Sequence, residues 1–270
     1  GIFHTMDGGA HWHLQYDPGR TRMTDVLFLD EQIGWAVDDH SHVLATTDGG
    51  VRWNRTKLDA PGHGILLAVT FLDAARGWVA AEKGTLFSPT DGGASWTEQQ
   101  LPVSGDISHI AFADAGRGIC LTVDGEGAAT TDGGETWRGW SFGKDYRPEA
   151  LALPDDTTAV ILATINRQKT VVLRSSDGGR SWITTTISES GMPGRALSIS
   201  DDGHGLLFLA DGAAFTTADA GLTWQTLQTP LGFPVRDVDV PIPGRVFVAG
   251  HNGSILRVDL KEGTRIQSKP

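Results

Sequence analysis

Apolar and polar positions alternate with period two in short runs along this chain, and nowhere is a 3.6-residue period sustained. Val26-Leu27-Phe28-Leu29-Asp30, Val69-Thr70-Phe71-Leu72-Asp73 and Ile110-Ala111-Phe112-Ala113-Asp114 are three such runs, and alternation of this kind predicts half-buried β-strands. A second apolar run follows each: Gly34-Trp35-Ala36-Val37, Gly77-Trp78-Val79-Ala80 and Gly118-Ile119-Cys120-Leu121. A short polar turn then leads to a third, such as Val43-Leu44-Ala45-Thr46 or Thr85-Leu86-Phe87-Ser88. A glycine-rich turn opens the fourth, as in Arg52-Trp53-Asn54-Arg55-Thr56. The unit is four short strands, A to D.

The turn between C and D is itself a repeated box. It reads Thr5-Met6-Asp7-Gly8-Gly9-Ala10-His11-Trp12, then Thr46-Thr47-Asp48-Gly49-Gly50-Val51-Arg52-Trp53, then Pro89-Thr90-Asp91-Gly92-Gly93-Ala94-Ser95-Trp96. It recurs as Thr130-Thr131-Asp132-Gly133-Gly134-Glu135-Thr136-Trp137, Ser175-Ser176-Asp177-Gly178-Gly179-Arg180-Ser181-Trp182 and Thr217-Ala218-Asp219-Ala220-Gly221-Leu222-Thr223-Trp224. The aspartates are 41, 43, 41, 45 and 42 residues apart. A worn seventh copy is expected around Asp259. Each Asp suits acceptance of backbone N–H bonds within the turn, Gly supplies positive φ, and the Thr or Ser hydroxyl satisfies another backbone group. The Trp adds buried area that pins the hairpin. These residues are therefore expected to be structural, and Trp35 and Trp78 to be core.

Four antiparallel strands at this period are the signature of a β-propeller blade. Strands are expected in a half blade at 1–16 and in full blades near 22–58, 64–101, 107–140, 148–187, 194–228 and 234–268. This predicts one propeller domain over 1–270 with seven blades. The rival closes six, with residues 1–16 borrowing strands A and B from 235–250.

Composition narrows the function classes. Gly is 35 of 270 residues and the net charge is −11, the wrong sign for a nucleic-acid binder. No apolar run reaches the length of a membrane-spanning helix. The one cysteine, Cys120, excludes an internal disulfide and a cysteine-based zinc site. The first residue is Gly1 rather than Met, so a preceding segment is expected.

The box Ser/Thr-x-Asp-x-Gly-x-x-Trp is the Asp-box, or bacterial neuraminidase repeat. With Gly-Trp-Ala-Val before it, the unit resembles that of the Ycf48/HCF136 family of photosystem II assembly and stability factors. The resemblance covers nearly the whole chain. It implies a non-enzymatic, extracytoplasmic seven-bladed propeller, periplasmic or lumenal, that binds a membrane-protein client through arginines, without cofactor or metal. A monomer is expected. Asp-boxes also occur in sialidases and glucanases, so a carbohydrate-binding or glycoside-hydrolysing propeller is the alternative.

Alternating strand direction puts the A–B and C–D turns on one face and the D–A connections and B–C turns on the other. The second group is the more variable, and variable loops on a rigid scaffold carry function. It contains Arg22 and Arg147, at one offset before strand A, and Arg195 and Arg236, at a second offset two residues nearer the strand. These four are the expected contacts for a carboxylate, phosphate or acidic peptide, with Tyr146 as an aromatic anchor. His63 and His251-Asn252 lie in the same class of loop. The pair His40 and His42 has ligand-like spacing, but no third ligand is identifiable; His11 and His13 are expected to face solvent. A sialidase would need a tyrosine nucleophile paired with Glu. Only Tyr16 and Tyr146 exist, the latter near Arg147 and Glu149.

Overall fold

The computed structural model describes the chain except residues 8, 59–63, 90–92, 94, 228–233, 243–244, 251–253 and 260–270. Contacts divide it into two units, Gly1–Gly143 and Lys144–Pro270.

The first unit opens with a two-stranded sheet, β1 (Ile2–His4) and β2 (His13–Tyr16). Three four-stranded antiparallel sheets follow in sequence order. They are β3 (Met23–Phe28), β4 (Gly34–Asp38), β5 (His42–Thr46) and β6 (Asn54–Lys57); β7 (Leu66–Phe71), β8 (Gly77–Ala81), β9 (Thr85–Pro89) and β10 (Trp96–Gln100); and β11 (Ile107–Phe112), β12 (Gly118–Thr122), β13 (Glu126–Thr130) and β14 (Arg138–Ser141). The second unit has two more four-stranded sheets, β15 (Tyr146–Ala152), β16 (Ala159–Ile165), β17 (Lys169–Ser175), β18 (Ile183–Ser188) and β19 (Gly194–Ile199), β20 (Gly205–Leu209), β21 (Ala214–Thr217), β22 (Gln225–Leu227). A three-stranded sheet completes it: β23 (Val235–Ile242), β24 (Arg245–Gly250) and β25 (Ile255–Asp259). Among the described residues the helical content is one 3-10 turn, Glu82–Gly84. These are the four-stranded antiparallel blades of an all-β propeller.

The central strands are the most buried: β4, β8 and β12 are buried at every position. The core lies between consecutive sheets, as in Trp35, Val37 and Val43 against Leu66, Val69 and Phe71. In the first unit this packing has an aromatic device. Trp35 stacks on Phe71 with centroids 3.7 Å apart, and Trp96 meets the same ring edge-on at 6.4 Å. One sheet further on, Trp78 stacks on Phe112 at 3.5 Å, with Trp137 edge-on at 6.0 Å. Each stack joins strand B of one sheet to strand A of the next, and the box Trp closes it. Phe28 meets Trp53 edge-on and stays 39% exposed, because the two-stranded sheet before it has no strand B to offer.

The stack also explains the first glycine of Gly-Trp-Ala-Val. A Cβ at Gly34 would come within 2.6 Å of the Phe28 ring, and one at Gly118 within 2.5 Å of Phe112. Gly77 is tighter still against Phe71.

The boxes fold as their chemistry predicts, except that Trp12 of the first box stays 41% exposed rather than buried. Thr130 Oγ1 donates to Asp132 Oδ1 at 2.7 Å and accepts from Gly134 N–H at 2.9 Å, while Thr136 N–H donates to Asp132 at 2.9 Å. The same bonds recur at Thr5/Asp7, Thr46/Asp48, Ser175/Asp177 and Thr217/Asp219. Trp12, Trp96, Trp137 and Trp224 donate their indole N–H to the second box glycine's carbonyl. Asp91 lies outside the described residues. In the sixth box Ala220 holds φ 52°, where the other boxes use Gly. The first Gly, or Ala220, donates its N–H to the A–B turn of its own sheet, as Gly49 to Gln32 and Ala220 to Gly203. The D–A connections bond the B–C turns instead, as Asp39 to Arg22 and Ala210 to Pro193. The two classes of turn are thus tied at opposite ends of each sheet. Cys120 is fully buried, and burial pushes its thiol up to about 12.

Candidate functional site

Each strand A among the described residues carries a β-bulge near its start, at an equivalent place in the repeat. Its register against strand B skips one residue between Met23 and Asp25, Leu66 and Ala68, Ile107 and His109, Pro148 and Ala150, Gly194 and Ala196, and Val235 and Asp237. Bulges add a residue that re-aims a side chain, and they recur beside functional sites. The extra residues are Thr24, Leu67 and Ser108 in the first unit, and Glu149, Arg195 and Arg236 in the second. Arg195 and Arg236 thus share the bulge. Arg22 and Arg147 share the position two residues before it.

In the second unit this geometry gathers charge. Arg147 Nε lies 3.6 Å from Glu149 Oε1, and the Thr164 hydroxyl donates to the same oxygen at 3.3 Å. The charge of Arg195 also reaches Glu149. The Glu149 side chain is only 11% exposed. Burial pushes its carboxyl above the ordinary glutamate range, and Arg147, Arg195 and Thr164 only partly offset this. Arg147, Arg195 and Arg236 are themselves exposed. Tyr146, half-buried, opens β15 beside Arg147. A guanidinium beside a largely buried carboxylate, with the charge of Arg195 in reach, makes a cationic site able to take a second carboxylate, because guanidinium forks bind such groups bidentately.

In the first unit Arg22 is exposed and held by Asp39. Its backbone N–H donates to Asp39 Oδ1 at 2.9 Å, and its Nε lies 3.9 Å from Oδ2. The two histidines of the next turn are each held by a different carboxylate. His40 Nδ1 is 2.8 Å from Asp39, and His42 Nδ1 is 3.0 Å from Asp38. Asp38, with a side chain only 2% exposed, also accepts the N–H groups of His40 and His42 and contacts Arg55. This cluster locks a turn whose middle residue, Ser41, has φ 66°. Among the described residues no group of three His, Cys, Asp or Glu is placed to hold a metal. His11, 79% exposed, sits on Asp7 within its own box. His63, His251 and Asn252 lie outside the described residues.

Glu149 was visible to sequence reasoning only as a neighbour of Tyr146. Its signal is the shared offset, since it occupies the place of Arg195 and Arg236 once the bulges are aligned. The Asp38 cluster had no local signal, because its burial depends on packing across the sheet.

Repeated Asp-box hairpins on four-stranded blades define the class: an Asp-box β-propeller. Within it, the family described as photosynthesis system II assembly factor YCF48 matches residues 9–102 and 94–233, and the chain belongs to that family. No curated protein matches the sequence. Among solved structures, YCF48 from Cyanidioschyzon merolae is similar at 19% identity, over 97% of this chain and 89% of that one, with TM-score 0.74. The GH74 enzyme of Niastella koreensis aligns at 14% identity, over 90% of this chain and 46% of its own, with TM-score 0.73. Virginiamycin B lyase from Staphylococcus aureus aligns at 13% identity, over 90% of this chain and 86% of its own, with TM-score 0.70. At these identities the structural likenesses speak to the fold, which assembly factors and enzymes share.

Proposed function

We propose that this chain is a non-catalytic binding platform, an assembly or stability factor that holds a protein client, a membrane-protein subunit under assembly, by its acidic groups. The observation that carries the reading is the gathering of Arg147 and Arg195 around Glu149, at strand-A positions of a YCF48-family propeller. Arg236 extends the cationic row to the next strand A, and Tyr146 offers an aromatic contact. Arg22 lies in the first unit beside Asp39 and stands apart from this row of the second unit. The compartment proposed is extracytoplasmic, and neither cofactor nor metal is needed.

The test is affinity for a synthetic acidic peptide with a free C-terminal carboxylate, and capture of membrane subunits from solubilised source membranes. The triple reversal R147E/R195E/R236E is expected to weaken peptide binding at least tenfold, with the melting temperature kept. R22E is expected to have a smaller effect. Equal binding by wild type and the triple variant would remove the arginines from the site. Turnover of a β-glucan by the wild type, abolished in E149Q, would transfer the protein to the carbohydrate-active reading.

A further inference from the structure

The outer strand of each sheet leaves one row of backbone groups without a neighbouring strand. Proteins blunt such edges with charge, proline or short length. β6 carries Arg55 and Lys57, β10 carries Glu98 and β14 carries Arg138; β2 and β22 run only four and three residues. β18 is longer than these and lacks charge and proline; its one protection is a bulge at Ile187. It runs six residues, Ile183-Thr184-Thr185-Thr186-Ile187-Ser188. Five of the six are β-branched, the type that packs best on a pleated surface. Ile183 is 61% exposed.

We propose that the free edge of β18 pairs antiparallel with β18 of a second copy of this chain, about a twofold axis at Thr185. A twofold interface must be self-complementary, and this strand is. Ile183 to Ile187 reads the same in both directions, so Ile183 of one copy lies opposite Ile187 of the other, and Thr184 opposite Thr186. Arg180 precedes the strand and Glu189 follows it, so antiparallel pairing brings the flank that carries Arg180 in one copy toward the flank that carries Glu189 in the other. Both Arg180 and Glu189 are exposed. The register with β17 is regular from Ile183 to Thr186, the bulge being confined to Ile187. Two short strands bury less than a stable interface needs, so the dimer is weak and populates at about 100 μM and above. At low concentration the expected monomer prevails. The edge is the opposite end of its sheet from β15, so the proposal stands apart from the client-binding reading.

Sedimentation equilibrium of the full chain from 1 μM to 1 mM tests it. The wild type is expected to rise from 28.8 kDa toward twice that mass. Thr184 and Thr186 are both exposed, so the variants should keep the fold, which melting curves check. T184K/T186K sets like charges opposite each other at both symmetry-related pairs and is expected to weaken dimerisation about tenfold. T184K/T186E sets opposite charges there and is expected to restore it. Buried Cys120 keeps adventitious disulfides out of the assay. A wild type that stays monomeric to 1 mM overturns the proposal, including the case in which the edge instead takes an extended client peptide. So does self-association that T184K/T186K leaves unchanged, or that both double variants weaken alike.

Discussion

The two units use one repeat and interlock their sheets differently. In Gly1–Gly143 a strand-B Trp stacks on the Phe that ends the next strand A. In Lys144–Pro270 the same places hold Val160 and Ile199, packed with Trp224 and Leu162 in an aliphatic cluster. The bulge residues diverge as well: neutral Thr24, Leu67 and Ser108 in the first unit, charged Glu149, Arg195 and Arg236 in the second. The lesson is a division of labour within the repeat. The box holds its hairpin by bonds spanning four residues or fewer, and all six copies keep the Asp. The interlock needs only volume and apolar surface, so aromatic and aliphatic solutions both serve. The bulge residue ranges from the largely buried Glu149 to the exposed Arg195 and Arg236, and in the second unit it carries charge.

The largest expected effect breaks the interlock. Trp78→Ala removes a stacked, 6% exposed indole and is expected to cost about 3–5 kcal/mol in urea unfolding. Val160→Ala in the second unit should cost about 2 kcal/mol, since it deletes two methyl groups and leaves a smaller cavity. Equal costs would show that the stacked indole contributes less than its buried area implies.

A middle-sized effect concerns what both units share. The Thr136 hydroxyl and N–H hold the Asp132 carboxyl at about 2, below the ordinary aspartate range. In the second unit burial opposes ionisation of Asp219, but its bonds from Thr223 and Thr217 prevail, and it too lies at about 2. A depressed carboxyl contributes stability above its unfolded pKa and loses it as pH falls through the folded value. D132N and D219N should therefore each melt below the wild type at pH 7, and their curves should approach it between pH 4 and pH 2. A constant offset down to pH 2 would mean that side-chain shape matters and the charge does not.

The smallest effect is a gain. Ala220 holds a positive φ that L-residues adopt at a cost, so Ala220→Gly should raise stability by about 1 kcal/mol. A loss would mean that Ala220 makes packing contacts worth more than its strain.

Much was legible without coordinates. The strands, the hairpin placement of the boxes and the two offsets of Arg22/Arg147 and Arg195/Arg236 follow from local pattern, because a β-strand's period and a turn's hydrogen bonds involve neighbours in sequence. Trp35 and Trp78 were readable as core, but their stacking on Phe71 and Phe112 was not, since it joins residues from different repeats. The same holds for Asp38, an ordinary polar residue of a turn until packing buries it beside His42 and Arg55.

By itself the sequence determined the repeat, the four-stranded blade and the chemistry available at the variable turns, all of which depend on spacings of a few residues. Only the tertiary structure decided which charges meet. The bulge in β15 and the packing of β19 beside that strand put Arg147 against Glu149 and bring the charge of Arg195 within reach, and burial then set the carboxyl's proton affinity. Electrostatic energies depend on distance through space and on exclusion of water, and neither is written in the order of residues along the chain.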